Sequence, residues 1–198
     1  MTGIILSGGE CRRMAKDKAF LKIDGEYIIE RILNIFKDIF DEIVIVTNTP
    51  EFYISYDVTL VGDIIENKGP MSGLYSGLIN SKSNYNFVTA SDMPFLNRQL
   101  ITFMMGLAGN NDMVIPKIKD FIEPLHAIYS KSCIPFIDGY LKDGNSGLRE
   151  LLGVCKVRYV VEEEIMSIDT GMKSFTNINT PEEYDKITEK VYELKGGI

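Results

Sequence analysis

The hydrophobic and polar residues of the chain alternate between two patterns. Short runs rich in β-branched residues, bounded by turn-forming residues, are typical of buried strands. They cover residues 3–7, 43–47, 58–61, 86–90, 113–116, 125–129 and 156–161. Between these runs, apolar residues recur every three or four positions, as on the buried face of an amphipathic helix. This second pattern predicts helices over residues 28–39, 73–81, 97–107, 132–141 and 146–152.

A last helix has the clearest start signal. Thr180 is placed as an N-cap, Pro181 as the first helical residue, and Glu183 where a capping-box glutamate belongs. Residues 62–72 are rich in Gly, Asp, Asn and Pro and predict a loop, and residues 162–164 predict a solvated acidic turn.

The order of these elements predicts the fold class. Continuous β-branched strands separated by helices are typical of a mostly parallel sheet that is covered on both faces. We therefore predict an α/β fold, a three-layer α/β/α arrangement of the Rossmann-like kind. We expect residues 1–198 to form a single domain.

The charge balance excludes two classes of partner. There are 21 Lys and Arg against 28 Asp and Glu, which gives a formal charge of −7. Binding to nucleic acid needs a basic face, so we expect no nucleic acid partner. No window approaches the roughly eighteen consecutive apolar residues that a membrane span requires, so we expect no membrane association.

The scarcest residues narrow the chemistry further. His126 is the single histidine, and the three cysteines, Cys11, Cys133 and Cys155, have no zinc-site spacing. An odd number of widely spaced cysteines indicates a reducing compartment, the cytoplasm. An enzyme with this composition would rely on carboxylates, lysine, arginine and backbone amides. These groups suit phosphoryl or nucleotidyl transfer assisted by magnesium.

Chemically active residues follow four of the predicted strands. They lie in segments 6–18, 47–49, 62–73 and 91–94. In an open parallel sheet, ligands bind beyond the carboxyl ends of the strands. We therefore expect these four segments to converge on one edge of the sheet and to form the functional site.

The first of these segments combines glycines with cations. It is neither a Walker motif nor the Gly-x-Gly-x-x-Gly fingerprint of dinucleotide sites. The Gly8-Gly9 pair lets the backbone approach a ligand closely, and four cations follow. These are Arg12, Arg13, Lys16 and Lys18. From residue chemistry alone, the segment is either an anion site or a solvated basic loop.

Two aspartates at strand ends are similarly ambiguous. Asp92 follows an apolar strand and is either a turn-forming residue or a magnesium ligand that faces the anion loop. Asp63 has the same two interpretations. Residues 69–73 are either a turn with an N-cap at Ser72 or a surface on which a ring or ribose lies.

Several motifs of the chain, taken together and in order, resemble those of a known protein family. The chain resembles the molybdopterin nucleotidyltransferases, and within them the molybdenum cofactor guanylyltransferase branch, whose opening signature is roughly Leu-Ala-Gly-Gly-x-x-x-Arg-Met-Gly-x-Asp-Lys. The matching residues are Leu6-Ser7-Gly8-Gly9, Arg13-Met14, Asp17-Lys18-Ala19, Gly25, Gly69-Pro70-Met71-Ser72-Gly73, Ser91-Asp92-Met93-Pro94-Phe95, the run from Pro124 to Tyr129, and the run from Asn177 to Glu183. The chain departs from the pattern at Cys11, where Ser is common, and at Ala15, where Gly is usual.

The resemblance implies a fold and a reaction. The fold is a nucleotidyltransferase domain of the nucleotide-diphospho-sugar transferase-like superfamily. The reaction is the transfer of GMP from GTP to molybdopterin, which releases pyrophosphate. A cytidylyltransferase that uses CTP is the close alternative. A non-catalytic nucleotide-binding module that docks on molybdoenzymes is the alternative from another class. Transient docking with molybdoenzymes or their chaperones is expected in either case.

The resemblance also implies roles for individual residues. Lys18, Arg13 and Asp92 are the expected catalytic residues, and Asp92 is the expected Mg²⁺ ligand. Nucleotide binding is expected from Leu6, Ser7, Gly8, Gly9, Lys18, Asn48, Asp63 and Asp92. The pterin side is expected to involve Gly69, Pro70, Gly73, Asn177 and Asn179. His126 is expected to have a structural or substrate-facing polar role rather than a catalytic one.

Overall fold

The computed structural model describes residues 1–8, 18–65 and 69–194. The strands in these ranges are β1 (Thr2–Ser7), β2 (Lys22–Ile23), β3 (Glu26–Tyr27), β4 (Glu42–Thr47), β5 (Thr59–Val61), β6 (Tyr85–Ala90), β7 (Met113–Ile118), β8 (Phe121–Ile122), β9 (His126–Ser130) and β10 (Val157–Val161). The helices are α1 (Ile28–Lys37), α2 (Gly69–Asn80), α3 (Arg98–Gly106), α4 (Ile134–Lys142), α5 (Glu162–Met166) and α6 (Pro181–Leu194).

A central sheet in the order β10-β7-β9-β6-β1-β4-β5 organises the described residues, and β8 extends it by pairing with β7. Strand β1 lies between β4 and β6 and is parallel to both, and β5 is parallel to β4. The carboxyl ends of β1, β4, β5 and β6 therefore lie along one edge, which we call the site edge. For the described residues of the four segments, the predicted convergence is confirmed; residues 9–17 and 66–68 lie outside the described ranges.

Strand β9 is the exception to the parallel order. It runs antiparallel to β6 and to β7, and β8 is also antiparallel to β7. The cause is the short connection between Ile118 and His126, because a parallel crossover needs roughly a dozen residues or more. The mostly parallel three-layer prediction holds, and the start of β9 also reaches the site edge.

Alternate strand residues face the two helical layers. Ile5 and Phe87 belong to the apolar core on the side of α1 and α3, whereas Ile4 and Val88 belong to the core on the side of α2 and α4. A strand that is apolar at every position fits such a layer, because both of its faces are buried. None of the helices within the described ranges is long and apolar enough to span a membrane.

The contact between α2 and β1 is especially close. A Cβ on Gly77 would lie 2.7 Å from a side-chain carbon of Ile4, so only glycine fits at that position. This contact fixes α2 against the strand whose end carries Leu6, Ser7 and Gly8.

Several local predictions were wrong. Helix α2 begins at Gly69 rather than at residue 73, because Pro70 near a helix start costs no hydrogen bond and fixes a helical φ. Residues 162–164 are the first helical residues of α5 rather than a non-helical acidic turn, since acidic side chains favour a helix N-terminus. The predicted helix over residues 146–152 is the 3-10 helix Leu148–Gly153.

Two short pairings were not predicted. Strands β2 and β3 form a hairpin whose turn has Asp24 at φ 57° and Gly25 at φ 84°. Strand β8 pairs with β7 through only two residues. Two-residue strands give too short a pattern to detect in the sequence. The capping box at the start of α6 is confirmed, because the Thr180 hydroxyl accepts from Glu183 N and the Glu183 carboxylate accepts from Thr180 N.

Candidate active site

Lys18, Asp92 and Asn179 meet at the centre of the site edge. The Lys18 ammonium donates to Asn179 Oδ1 at 2.9 Å and to Asp92 Oδ2 at 3.4 Å. Asp92 follows β6, and Asn179 precedes α6. The backbone N–H of Ile178 donates to Asp92 O at 3.1 Å and fixes the last segment against the strand end. Two expected catalytic residues and one expected pterin-side residue therefore share one cluster.

The Asp92 carboxylate is poorly solvated. Its side chain is 18% exposed, and burial raises the pKa of its carboxyl above the usual value. The Lys18 ammonium opposes that rise, and the nearby Glu183 carboxylate adds to it. The Lys18 ammonium offsets only part of the free-energy cost of burying the Asp92 charge. A second cation bound beside Asp92 would therefore stabilise its ionised form further.

The donor set suits magnesium that is shared with a substrate. Among the described residues, no group of three or more His, Cys, Asp or Glu side chains could hold a metal ion. Magnesium is commonly bound through one or two carboxylates together with substrate phosphates and water, so a complete protein cage is not needed. Asp92, as the carboxylate nearest Lys18, fits this mode of binding.

Asn48 and Asp63 form a second cluster at the ends of β4 and β5. Asn48 Nδ2 donates to Asp63 Oδ2 at 3.0 Å, and Asp63 N donates to Asn48 Oδ1 at 3.1 Å. This reciprocal pair fixes both side chains. Gly8 lies close by, because a Cβ on Gly8 would be 3.8 Å from Asp63 Oδ2. Three of the expected nucleotide-binding residues, Gly8, Asn48 and Asp63, therefore lie close together at the site edge.

The start of α2 supports this second cluster. The Ser72 hydroxyl donates to Ile65 O, and Ile64 N donates to Ser76 Oγ at 2.8 Å. Both hydroxyls are fully buried. The short segment that follows Asp63 is thus tied to α2 at two points.

The residues expected on the pterin side do not form one cluster in the structure. A Cβ on Gly73 would lie 3.4 Å from the Leu6 side chain and 3.7 Å from Asp63, so Gly73 belongs with the nucleotide cluster. A Cβ on Gly69 would lie 3.9 Å from the Ser146 side chain, next to α4 and the loop after it. Asn179 lies with Lys18. Asn177 buries its Oδ1 without a hydrogen-bond partner among the described residues.

A hydroxyl cluster at the end of β1 was not predicted from the sequence. Ser7 was expected to contribute its backbone, but its Oγ lies 2.6 Å from Tyr53 Oη and 3.0 Å from Ser91 Oγ. Tyr53 comes from the segment after β4 and is fully buried. In the sequence Tyr53 is one of several aromatic and apolar residues between β4 and β5, and nothing there marks it as part of a site.

Glu123 was also missed. The antiparallel register of β6 and β9 ends at the pair Thr89–His126, and Asp92 and Glu123 each lie three residues beyond that pair on their own segment. Burial raises the pKa of the Glu123 carboxyl, the Leu125 N–H that donates to it at 3.3 Å opposes the rise, and the Asp92 charge adds to it. A second carboxylate therefore lies near Asp92. Its position depends on the antiparallel β9, which the sequence did not reveal.

His126 lies in the core and not in the site. Its ring is completely buried and makes edge contacts with Phe87 and Phe175, with centroids 5.0 and 5.1 Å away. Burial lowers the pKa of His126 to about 3, although the Asp169 charge opposes this. Neither ring nitrogen has a hydrogen-bond partner among the described residues. The imidazole is therefore neutral and packs as an apolar ring.

Gly9 and Arg13, together with Arg12 and Lys16, lie outside the described residues, in segment 9–17. Their roles stay predictions. Lys18, the last cation of the predicted segment 6–18, is described and pairs with Asp92.

The chain matches known proteins in both its sequence and its fold. The model of the family described as "MobA-like NTP transferase domain" matches residues 3–160. A molybdenum cofactor guanylyltransferase from Desulfosudis oleivorans is 37% identical over 188 residues, which cover 94% of this chain and 93% of that protein. A probable molybdenum cofactor guanylyltransferase from Clostridium perfringens strain 13 is 36% identical over 192 residues, with coverage of 94% and 95%.

The similarity extends to a solved structure. The crystal structure of molybdopterin-guanine dinucleotide biosynthesis protein A from Archaeoglobus fulgidus matches with a TM-score of 0.85 and 26% identity. The match covers 98% of this chain and 100% of that one. It therefore includes the segment around Asn179, which lies beyond the residues matched by the family model.

Proposed function

The chain belongs to the MobA-like NTP transferase family, and from this membership and the geometry of its site we propose that it transfers GMP from GTP to molybdopterin and releases pyrophosphate. The observation that carries the proposal is the Lys18–Asp92 pair at the site edge, beside the reciprocal Asn48–Asp63 pair. The first pair suits the phosphates of a nucleotide. The second suits its nucleoside part.

The strand ends hold the nucleotide. Leu6, Ser7 and Gly8 lie at the end of β1, and we propose that their backbone groups, with that of Gly9, bind the nucleotide, since glycine allows close approach. Asn48 and Asp63 present amide and carboxylate atoms close to Gly8. We propose that the nucleoside lies between these groups, so that its triphosphate is directed towards Lys18 and Asp92.

Charge neutralisation is the main task of the site, because both substrates are anions. We propose that Lys18 and Arg13 stabilise the triphosphate and the departing pyrophosphate. Asp92 would hold the divalent metal ion, for which we propose Mg²⁺, and this ion would screen phosphate oxygens near the α-phosphorus when bound. The terminal phosphate of molybdopterin is already largely ionised at neutral pH, since its second pKa is about 6. The site therefore needs no histidine base.

The last segment of the chain completes the site. Asn179 accepts a hydrogen bond from Lys18, and Ile178 donates to the backbone of Asp92. We propose that residues 1–198 act as a single nucleotidyltransferase domain. We also propose that Asn177 and Asn179, with Gly69 and Pro70, receive the pterin. Gly73 contacts Leu6 instead, so its proposed role moves to the nucleotide side.

The decisive experiment is a substrate test with the purified protein. It is incubated with Mg²⁺, molybdopterin and each nucleoside triphosphate in turn, and pyrophosphate and the dinucleotide product are measured. Product from GTP alone is the expected result. Product from CTP alone would make the protein a cytidylyltransferase. Nucleotide binding without product from any triphosphate would favour the docking module.

The Asp92→Asn variant tests the role of the metal ligand. It keeps the size of the side chain but removes its charge. We expect turnover to fall by about 100-fold or more. We also expect weaker Mn²⁺ binding in the presence of GTP, measured by electron paramagnetic resonance, with an unchanged circular dichroism spectrum. Unchanged turnover would contradict the proposed role of Asp92.

We propose further that the product passes to molybdoenzymes or their chaperones by transient docking in the cytoplasm. Phe52, Ile54 and Ile64 are 53%, 75% and 52% exposed, and they lie on the segments that follow β4 and β5 near the site. The test is the rate at which a purified apo-molybdoenzyme acquires the product. Ile54→Ser should slow this transfer without changing product synthesis, and an unchanged rate would contradict docking through this face.

A further inference from the structure

A directed chain of hydroxyl groups lies under the end of β1. Ser7 Oγ donates to Ser91 Oγ at 3.0 Å. A serine hydroxyl has one proton, so Ser7 must accept in its 2.6 Å contact with Tyr53. The Tyr53 hydroxyl therefore donates to Ser7, and the Ser7 hydroxyl donates to Ser91.

The two ends of this chain differ in their surroundings. Tyr53 is fully buried and Ser7 is 6% exposed, so the beginning of the chain is shielded from water. Ser91 is partly exposed, and its backbone N–H donates to Leu6 O at 3.1 Å. Its position is therefore fixed against β1, and Ser91 as a whole residue keeps partial contact with solvent.

The hydroxyl of Ser91 is left with a proton to donate. It accepts from Ser7, and it donates to no group among the described residues. A hydroxyl that already accepts one hydrogen bond, and whose own proton has no acceptor within the described residues, can donate that proton to an anionic oxygen of a ligand. Ser91 precedes Asp92 in the chain, and Ser7 precedes Gly8. The free proton thus lies between the two strand ends where the triphosphate is proposed to bind.

We propose that Ser91 is a further nucleotide-binding residue, whose hydroxyl donates to a phosphate oxygen of GTP, and that Tyr53 is a positioning residue that orients it through Ser7. This inference rests on the proposed function, because it needs a triphosphate beside Asp92. It adds a neutral donor to the charged groups Lys18 and Arg13.

The proposal predicts unequal effects for the two ends of the chain. Ser91→Ala removes the donor itself, and a hydrogen bond to a charged oxygen corresponds to a loss of about tenfold in affinity. Tyr53→Phe leaves the donor in place but allows it to rotate, so we expect a loss of about threefold. The double variant should bind GTP as Ser91→Ala does, because the proposed effect of Tyr53 on the phosphate passes through the Ser91 hydroxyl.

The experiment measures dissociation constants by titration calorimetry on the full chain with Mg²⁺. The ligands are GTP, pyrophosphate and guanosine. Ser91→Ala should weaken GTP and pyrophosphate by similar factors and leave guanosine within about twofold, since guanosine has no phosphate to receive the bond. Ser91→Thr, which restores a hydroxyl, should bind GTP within about threefold of the original protein. A merely structural role for Ser91 would weaken all three ligands together.

Two variants serve as matched controls. Tyr140→Phe removes a hydroxyl that donates to Glu150 O at 3.4 Å, and Ser167→Ala removes one that donates to Glu164 O at 2.6 Å. Neither residue belongs to the site, so both variants should bind GTP normally.

The inference is overturned if Ser91→Ala binds GTP normally, if guanosine is weakened as much as GTP, or if the effects of Tyr53→Phe and Ser91→Ala add. These results are distinguishable from failure of the proposed function. If the unmodified protein binds GTP but does not transfer GMP, the proposed reaction is overturned and the proposed hydrogen bond from Ser91 is not. If the unmodified protein transfers GMP and Ser91→Ala binds GTP normally, only the proposed hydrogen bond is overturned. If the unmodified protein does not bind GTP, both proposals are overturned.

Discussion

The Lys18 ammonium donates a 2.9 Å hydrogen bond to the Asn179 side chain, although the two residues are 161 positions apart. The same ammonium lies 3.4 Å from Asp92. One lysine therefore links the first loop, the end of β6 and the segment before α6. Removing it affects all three parts of the site at once.

Lys18→Ala should lower kcat/KM for GTP by about 100-fold, because it removes a cation that pairs with Asp92 at 3.4 Å from the path of the phosphates. Steady-state pyrophosphate release measures this effect. The matched control is Lys22→Ala, which removes an exposed lysine whose ammonium lies over the Tyr27 ring at 4.7 Å. Equal activity in the two variants would exclude a role for Lys18 in the reaction.

Asn48→Ala and Asp63→Ala should each weaken GTP binding by about tenfold, since each side chain holds the other in place. The double variant should be little worse than either single variant, because residues that share one interaction are not additive. Titration of GTP into the four proteins gives the coupling directly. Fully additive losses would show that the two residues act independently.

Gly77→Ala should destabilise the protein by about 1–3 kcal/mol, because its new methyl group would overlap the Ile4 side chain. Gly139→Ala is the control within a helix. It has nothing within 4 Å of the added Cβ, and it should stabilise the protein by about 0.5–1 kcal/mol. Urea unfolding at pH 7 measures both changes. A stable Gly77→Ala variant would contradict the close packing of α2 on β1.

His126 should make the folded state sensitive to acid. Burial lowers the pKa of His126 to about 3, whereas an unfolded histidine has a pKa of about 6.5. Between these values only the unfolded chain binds the proton, so the free energy of unfolding is fully retained above pH 6.5 and falls as the pH falls. The loss from pH 7 to pH 5 should be about 2 kcal/mol.

His126→Leu tests this effect. It keeps an apolar side chain between Phe87 and Phe175 and removes the titrating group. Urea unfolding at pH 7 and at pH 5 should show a decrease in stability that is smaller in the variant by about 2 kcal/mol. An identical decrease in both proteins would assign the acid sensitivity to other groups.

The sequence predicted most of the fold, since long strands and helices carry strong periodic patterns. The seven main strands and the capping box at Thr180 and Glu183 lie where those patterns place them. The start of α2 was missed, because Gly69 and Pro70 are compatible with a loop as well as a helix start. The hairpin around Asp24 was missed because two residues per strand show no period.

The sequence by itself determined the type of chemistry. A shortage of histidine, a cationic first loop and aspartates at strand ends indicate phosphate chemistry with a divalent metal, and local motifs carry that information. Tertiary structure decided which of these residues meet. Tyr53 reaches Ser7, and the Asp92 charge acts on Glu123, only because the order and direction of the strands bring distant segments to one edge. That order depends on burying both faces of the whole sheet, which no local stretch of sequence encodes.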